Sequence, residues 1–413
     1  MPRSQRTRSA RAIANDTAIR DAAISEVLRV GVDHVSLRDV GHHAGLTHGA
    51  TYARYEDVDE LLVDLWNSVL ARRATAIFDL SMTAAESPNA KSVGALFDFI
   101  RDTTPADVAS VHLLLTSRRI PTLHEEVEPF IKTHFESDPG TSDQAKAIFS
   151  RGLTLFAMTM MQIFANSQFG WDRDYQAVLE KLLIETLEVD PADVQPVTLT
   201  EPDDRILVAP GDDLKAQLAF ATFGVVGKSG YTRATISRIA RRANCSPGAI
   251  YKLYPSKEDL VIAAFHDLMR ARWMKFTNFV DILEEGSLTQ LLYSSASGQN
   301  SVRQSFTLET ALAAAHSDKL RDAVLGQIGE LESVVPLLNN VSDEEKVRLR
   351  YMIRSIVFVT VGINFLSTVT NVTRNVDFNQ FGEPFRRALL REGVPTWSEM
   401  CQQILEVVNA RGY

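Results

Sequence analysis

Two stretches of this 413-residue chain follow one pattern at a nearly constant offset. Gly31 set against Gly230 gives an offset of 199. The pairing then runs on: Ser36 with Thr235, Val40 with Ile239, Ala44 with Ala243, Thr47 with Ser246, Gly49 with Gly248, Tyr52 with Tyr251, Tyr55 with Tyr254 and Leu61 with Leu260. Farther along, Ser142, Asp143 and Lys146 align with Ser342, Asp343 and Lys346 at an offset of 200, and a long apolar stretch follows each. A steady period along most of a chain predicts an internal duplication. The fold is then restricted to a unit that can be built twice and joined.

The second copy shows what that unit contains. In Gly230–Leu260, Thr235 can cap a short helix whose apolar face is Ile236, Ile239, Ala240 and Ala243. Asn244 and Cys245 make a corner. Ser246 is a second cap, and Pro247 sits at the first helical position, where its missing N–H costs nothing. Pro255 and Ser256 break that helix, and Ser256 caps a third. Two helices across a short turn form a helix-turn-helix, whose second helix enters the DNA major groove. From Tyr231 to Lys257 the bases are Arg233, Arg238, Arg241, Arg242, Lys252 and Lys257, with no acid, a local +6 in a chain of net charge −9. A basic patch on an acidic protein is an electrostatic footprint for phosphate.

These residues resemble the DNA-binding end of TetR-family regulators. The resemblance rests on a Thr-headed helix ending in Ile-Ala, a Ser-x-Gly corner, Ile-Tyr-x-x-Tyr and Ser-Lys-Glu-x-Leu, with Ser246, Gly248, Tyr251, Tyr254, Lys257, Glu258 and Leu260 in place. It implies an all-α fold: two tandem units, each a three-helix DNA-binding domain followed by a helical effector and dimerisation domain. It also implies that the last two helices of each unit meet in a four-helix contact, giving an intrachain pseudo-dimer. The expected boundaries are a basic arm at 1–14, a first reader at 15–61 and its body at 62–189. A Pro-rich linker follows at 190–211, then a second reader at 212–260 and its body at 261–413.

Composition agrees with an ordinary soluble globular chain, at 45% hydrophobic and 23% charged residues. Cys245 and Cys401 form neither a metal spacing nor a disulfide framework, which suits a reducing cytoplasm, and the resemblance implies a bacterial one. The apolar runs Leu153–Ile163 and Ile356–Ile363 are too short to span a bilayer, so no membrane partner is expected. Arg3, Arg6, Arg8 and Arg11 open the chain without an acid. A transit peptide, a free tail and an arm reaching DNA are all compatible; the last fits the neighbouring motif.

Asn15 or Asp16 is expected to cap a first helix ending near Val30. The bodies read as helices at 98–115, 125–135, 143–167 and 174–187, and at 260–283, 301–315, 317–338, 343–370 and 378–391. Between them, Pro191, Pro196, Pro202 and Pro210 predict an extended connector without helix.

The two readers differ. The first offers Ser36, Thr47, His48, Gly49, Thr51, Tyr52 and Arg54 to DNA. The second offers Thr235, Ser246, Pro247, Gly248, Ala249, Tyr251, Lys252 and Lys257. The resemblance assigns base or phosphate contact to the cap hydroxyl, the residue after it and the first tyrosine, and a buried ring to Tyr55 and Tyr254. The first copy has Asp57-Val58-Asp59 where the second has Ser256-Lys257-Glu258, so it lacks the helix-start lysine that would meet phosphate. From Gly31 to Tyr55 its charges cancel, and four acids follow by Glu60.

His34, His42, His43 and His48 cluster there without the carboxylate or thiolate geometry that a metal site needs, and read as polar contacts. Phe149, Phe156, Met160, Gln162, Phe358 and Asn364 read either as bundle core or as an apolar pocket where the family binds small effectors. Arg151 and Arg354 join Gln162 and Asn364 as polar residues that either orient a ligand or pair together. No catalytic constellation appears, so no enzyme, cofactor or metal is expected. The function expected is a DNA-binding transcriptional regulator, a repressor released by a small effector. The alternative is a ligand-sensing or protein-interaction module with only the second reader competent. Further homodimerisation stays open.

Overall fold

The computed structural model describes residues 10–169, 173–200, 213–275, 286–297, 301–332, 335 and 342–389. Among these residues the protein is all-α, with helices and no strand. In the first half α1 is Ala10–Val30, α2 Leu37–His43, α3 His48–Tyr52 and α4 Val58–Leu65. A wide π turn at Trp66–Leu70 joins α4 to α5, Ala71–Glu86. Then come α6 Ala90–Arg101, α7 Pro105–Ser117, α8 Pro121–His134, α9 Asp143–Phe169 and α10 Arg173–Leu187. In the second half α11 is Leu214–Arg233, α12 Ile236–Arg242, α13 Pro247–Tyr251, α14 Lys257–Lys275 and α15 Ser287–Ala296. The chain continues with α16 Ser301–Ala314, α17 Asp318–Glu332, α18 Asp343–Leu366 and α19 Asn379–Leu389.

Three sequence expectations are corrected. Helix α1 runs straight through Asn15 and Asp16 from Ala10, because alanines on either side favour helix. Residues 10–14 of the expected arm are therefore helical, and residues 1–9 lie outside the described residues. The helix expected over 98–115 is two helices. Thr104 accepts from the Asp107 N–H (3.4 Å) while the Asp107 carboxylate accepts from the Thr104 N–H (2.8 Å), and Pro105 takes the first position of α7. The connector is not wholly free of helix: Pro191–Asp193 form one 3-10 turn, capped by Asp190. Beyond it the chain lies on the second half. Val197 N–H donates to Asn379 (3.0 Å), and Thr200 N–H donates to Gln290 (2.8 Å).

The two halves are joined through α9 and α10 of the first and α18 and α19 of the second: α9 packs on α18, and α10 packs on α19. A Cβ on Gly362 would overlap the Ala157 carbonyl of α9, so the α9 and α18 backbones touch there. Arg151 ties this contact at one end, donating to the carbonyls of Gln380 (2.9 Å), Leu187 (3.0 Å) and Val189 (2.8 Å). Tyr175 OH accepts from the Ser355 hydroxyl (3.3 Å), and the Arg354 guanidinium lies over the Tyr175 ring. Both Asp143–Ser167 and Asp343–Leu366 are long and apolar enough to cross a membrane by length and composition, contrary to the reading from the bare apolar runs. Most of the apolar window of each is buried inside the protein.

Among the described residues, the buried side chains form two clusters. One runs from α1 through the first half and into α15, α16, α18 and α19 of the second. The other holds the second reader, from Leu218 to Leu268, with Phe306, Ala314 and Leu320 of α16 and α17. Helix α16 is the wall between them: Phe306 faces one cluster, and Leu308, Ala311 and Leu312 face the other.

Two predictions follow from this packing. Gly362→Ala is expected to lower stability by about 1–3 kcal/mol, read by urea denaturation, because backbone opposite the new methyl cannot swing aside. His112 is buried, and burial, with His316 beside it, holds its pKa down at about 3. A histidine kept neutral in the fold but titrating near the usual ~6.5 when unfolded loses stability as pH falls below that value. Between pH 7 and pH 5 the native protein is expected to lose about 2 kcal/mol more than His112→Gln. Equal losses in the two proteins would remove His112 from the account.

Candidate nucleic-acid interface

Each reader is held by the same local devices. Gly31 (φ 82°, ψ 154°) and Gly230 (φ 81°, ψ 159°) turn the chain between their first and second helices. A side chain is disfavoured at such positive φ. Ser36 Oγ accepts from the Asp39 N–H (3.1 Å), and Thr235 Oγ1 accepts from the Arg238 N–H (3.3 Å). The corner then passes through a left-handed residue, Gly45 at φ 66° and Asn244 at φ 53°. Asparagine tolerates that region better than most residues. Cys245 packs half-buried on the second reader's core, and burial pushes its thiol pKa up.

The helices expected to read DNA are α3 and α13, and both are short and solvent-facing. Tyr52 is 47% exposed and Tyr251 is 56% exposed. Thr47 and Gly49 are exposed beside Tyr52; Thr235, Ser246, Pro247, Gly248 and Lys252 are exposed beside Tyr251, with Ala249 partly so. The helix starts differ. Ser246 Oγ accepts from the Ala249 N–H (3.2 Å), while the Thr47 side chain makes no capping bond.

Other expected contacts point elsewhere. Thr51 is fully buried, its hydroxyl against Gly41 of α2, because its place on α3 faces the neighbouring helix. Arg54 is spent inside the reader, donating to Asp16 (2.6 Å) and to the Ala50 carbonyl (3.1 Å). Lys257 folds back over the Tyr231 ring, 4.0 Å from its centroid, and donates to the Tyr231 carbonyl (2.9 Å). Burial lowers its pKa. The helix-start lysine is thus tied to α11. Asp57 takes the place of Ser256 in the first copy and caps α4 by accepting from the Glu60 N–H (2.9 Å).

Sequence reasoning missed the group that ties α1 and the turn after α3 to α4. Asp64 accepts from Arg20 (2.8 and 2.9 Å), the Tyr55 hydroxyl (2.7 Å) and Ser68 (2.9 Å). Burial opposes its ionised form, but these bonds outweigh it and hold its pKa down. Tyr55 is buried as expected, and Tyr254 is half-buried against the second core. Among the first reader's histidines, His43 pairs with Glu26 (2.7 Å) and its ring meets that of His42 (5.6 Å), His34 bonds to Thr232 of the second half (3.2 Å), and the His48 side chain lies outside the described residues.

Residues 221–264 match the family model for bacterial regulatory proteins, tetR family. The match supports a TetR-family regulator. It covers the latter part of α11, α12, α13 and the start of α14, so the matched segment includes the exposed, capped helix just described and supports a DNA-binding transcriptional regulator. A search of curated proteins finds no match.

The apolar residues suggested for an effector lie at the helix contacts of the bodies. Phe156 packs its ring against Phe135 (5.2 Å) and Phe78 (6.0 Å), and Phe358 meets Tyr175 (6.0 Å). Met160 is buried and Phe149 half-buried. Gln162 and Asn364 are buried too, and Gln162 Nε2 and Asn364 Oδ1 have no hydrogen-bond partner, so they do not pair through those atoms. Arg151 and Arg354 are committed to the carbonyls and rings named above.

Proposed function

We propose that this chain is a transcriptional repressor carrying two DNA readers, with both recognition helices supplied by one polypeptide. The observation that carries it is α13: an exposed helix of five residues, capped by Ser246, in a basic stretch of an acidic chain, inside the matched segment. The paired reading is supported by the repeated order of short helices, by the like conformations of Gly31 and Gly230, and by the packing of α9 and α10 on α18 and α19. A covalent link removes the association step and raises the effective concentration of the second reader. Because α3 and α13 differ in sequence, the preferred operator is an asymmetric pair of half-sites. A small apolar effector held in the bodies would release the DNA; the unpartnered Gln162 and Asn364 atoms support a polar ligand contact there, since leaving such a group buried and unmade costs about 1–3 kcal/mol. A cytoplasmic location belongs to the same reading.

One set of observations favours a second reading, in which only the second reader is competent. Thr51 is buried, Arg54 is bound to Asp16, and Asp57, Asp59 and Glu60 crowd the start of α4.

Binding sites selected from random duplexes separate the two. Two unlike half-sites, with affinity lost when their order is swapped, support paired readers. Equal affinity for palindromes of either half-site counts against them. A single half-site, bound equally well by a Thr47→Ala, Tyr52→Ala double variant, supports the second reading. In either case Lys252→Ala is expected to weaken binding to all sequences alike and to reduce the slope of log affinity against log salt by about one. An unchanged slope would take Lys252 off the phosphate backbone.

A further inference from the structure

Beneath the readers, the end of α7 sends two arginines from the first half into the second. Arg118 Nη1 donates to the Gly227 carbonyl of α11 (3.1 Å), and Arg118 Nη2 pairs with Glu309 of α16. Arg119 faces two ways. Its Nε donates to Glu309 (3.0 Å), while its terminal nitrogens donate to both carboxylate oxygens of Asp33 (2.6 and 2.7 Å). Asp33 lies in the 3-10 turn between α1 and α2 of the first reader, and α16 is the wall on which the second reader packs. One guanidinium therefore spans both. The side chains of Asp33, Arg119 and Glu309 are each less than a tenth exposed.

The contact has a second side. A Cβ on Gly230 would lie 3.1 Å from Arg119 Cζ and 3.2 Å from Glu309 Oε2. A Cβ on Gly31 would lie 3.0 Å from His316 Cδ2. Each reader's turning glycine thus rests against a side chain that reaches across from, or is bonded across to, the other half. On one side the pair is Arg119 with Glu309. On the other it is His316 with His112, rings 6.4 Å apart, and the His316 ring is 3.3 Å from the Arg29 carbonyl through Nδ1.

Apolar packing does not close this seam. A cavity of about 390 Å³ lies in it, lined by Val32, His112, Thr116, Tyr231, Leu312 and His316 among others. The second reader's buried residues also form their own cluster, apart from the one that holds the first reader. Polar bonds across the seam add to the apolar contact that runs through α16, and a guanidinium's planar fork fixes direction as well as distance.

We propose that Arg119, braced by Glu309, is a positioning residue that sets the separation of α3 and α13, and so the half-site spacing that the chain accepts. This rests on the reading that both readers bind DNA. Arg119→Ala would leave two buried carboxylates short of a partner and endanger folding. Arg119→Lys keeps the charge but cannot hold Asp33 and Glu309 with one fork. Glu309→Gln is the second variant, keeping the shape and an acceptor for the arginines while removing the charge.

The test uses the full chain and duplexes carrying the two selected half-sites, with the segment between them lengthened one base pair at a time. The native protein is expected to prefer one spacing by about ten-fold over its neighbours, while Arg119→Lys binds the series within about three-fold and keeps its affinity for either half-site alone. Glu309→Gln is expected to show the same flattening, and it decides the matter if Arg119→Lys does not fold. A variant that folds and keeps the native spacing preference overturns the proposal, as does a native protein with no preference. Recovery of one half-site only, or of none, would instead overturn the paired-reader reading on which it stands.

Discussion

Helix α18 lies so close to α9 at Gly362 that backbone meets backbone, and much else depends on that approach. Two long apolar helices, each too greasy to face water, can be buried by one another only if their surfaces fit along a length. A glycine at the crossing lets the axes come close, and side chains on either side then fill the flanks. Phe164 meets Phe365 at 6.4 Å and Tyr175 meets Phe358 at 6.0 Å, each pair drawn from both halves. The apolar core is therefore continuous across the join, and the first half has no separate core to fall back on.

The readers stand differently toward that core. The first is continuous with it through Ile19, Ala23, Val27 and Leu37. The second has a core of its own, attached through the far face of α16. The two helix-turn-helix ends are consequently not equivalent mechanically, quite apart from their unlike sequences. Their charges differ in the same sense. The second reader's bases lie in a stretch without acids, whereas Arg54 of the first is matched by Asp16 and Asp33 by Arg119. The basic stretch thus falls on the half whose core stands apart from the common one.

How much of this the sequence could tell depended on whether the signal was local. Caps, corner and turning glycines are decided by a few neighbouring residues, and Ser36, Thr235, Ser246, Gly31 and Gly230 all sit where their chemistry predicts. The break at Thr104 and Pro105 is just as local a signal, yet the helix expected over 98–115 ran across it. Side-chain commitments were not legible. Whether Arg54 or Lys257 faces DNA turns on a partner 38 residues away in one case and on the Tyr231 ring in the other. Spacing along a helix says which face a residue lies on, not which distant group has already claimed it.

Arg119 is the extreme case, since its partners are 86 and 190 residues away. Nothing near Arg118 and Arg119 marks them as more than a basic pair after an apolar helix. Their meaning comes from the packing of the two halves, which carries the end of α7 to the foot of α11 and α16. A buried ion network of this kind gains little net stability, because desolvation offsets most of the attraction; burial, helped by the Asp33 charge, pushes the Glu309 carboxyl up despite two arginines beside it. Such a network is better suited to fixing a geometry than to holding a fold together. In a protein whose apolar contacts leave a cavity at this seam, geometry is what the contact has to supply.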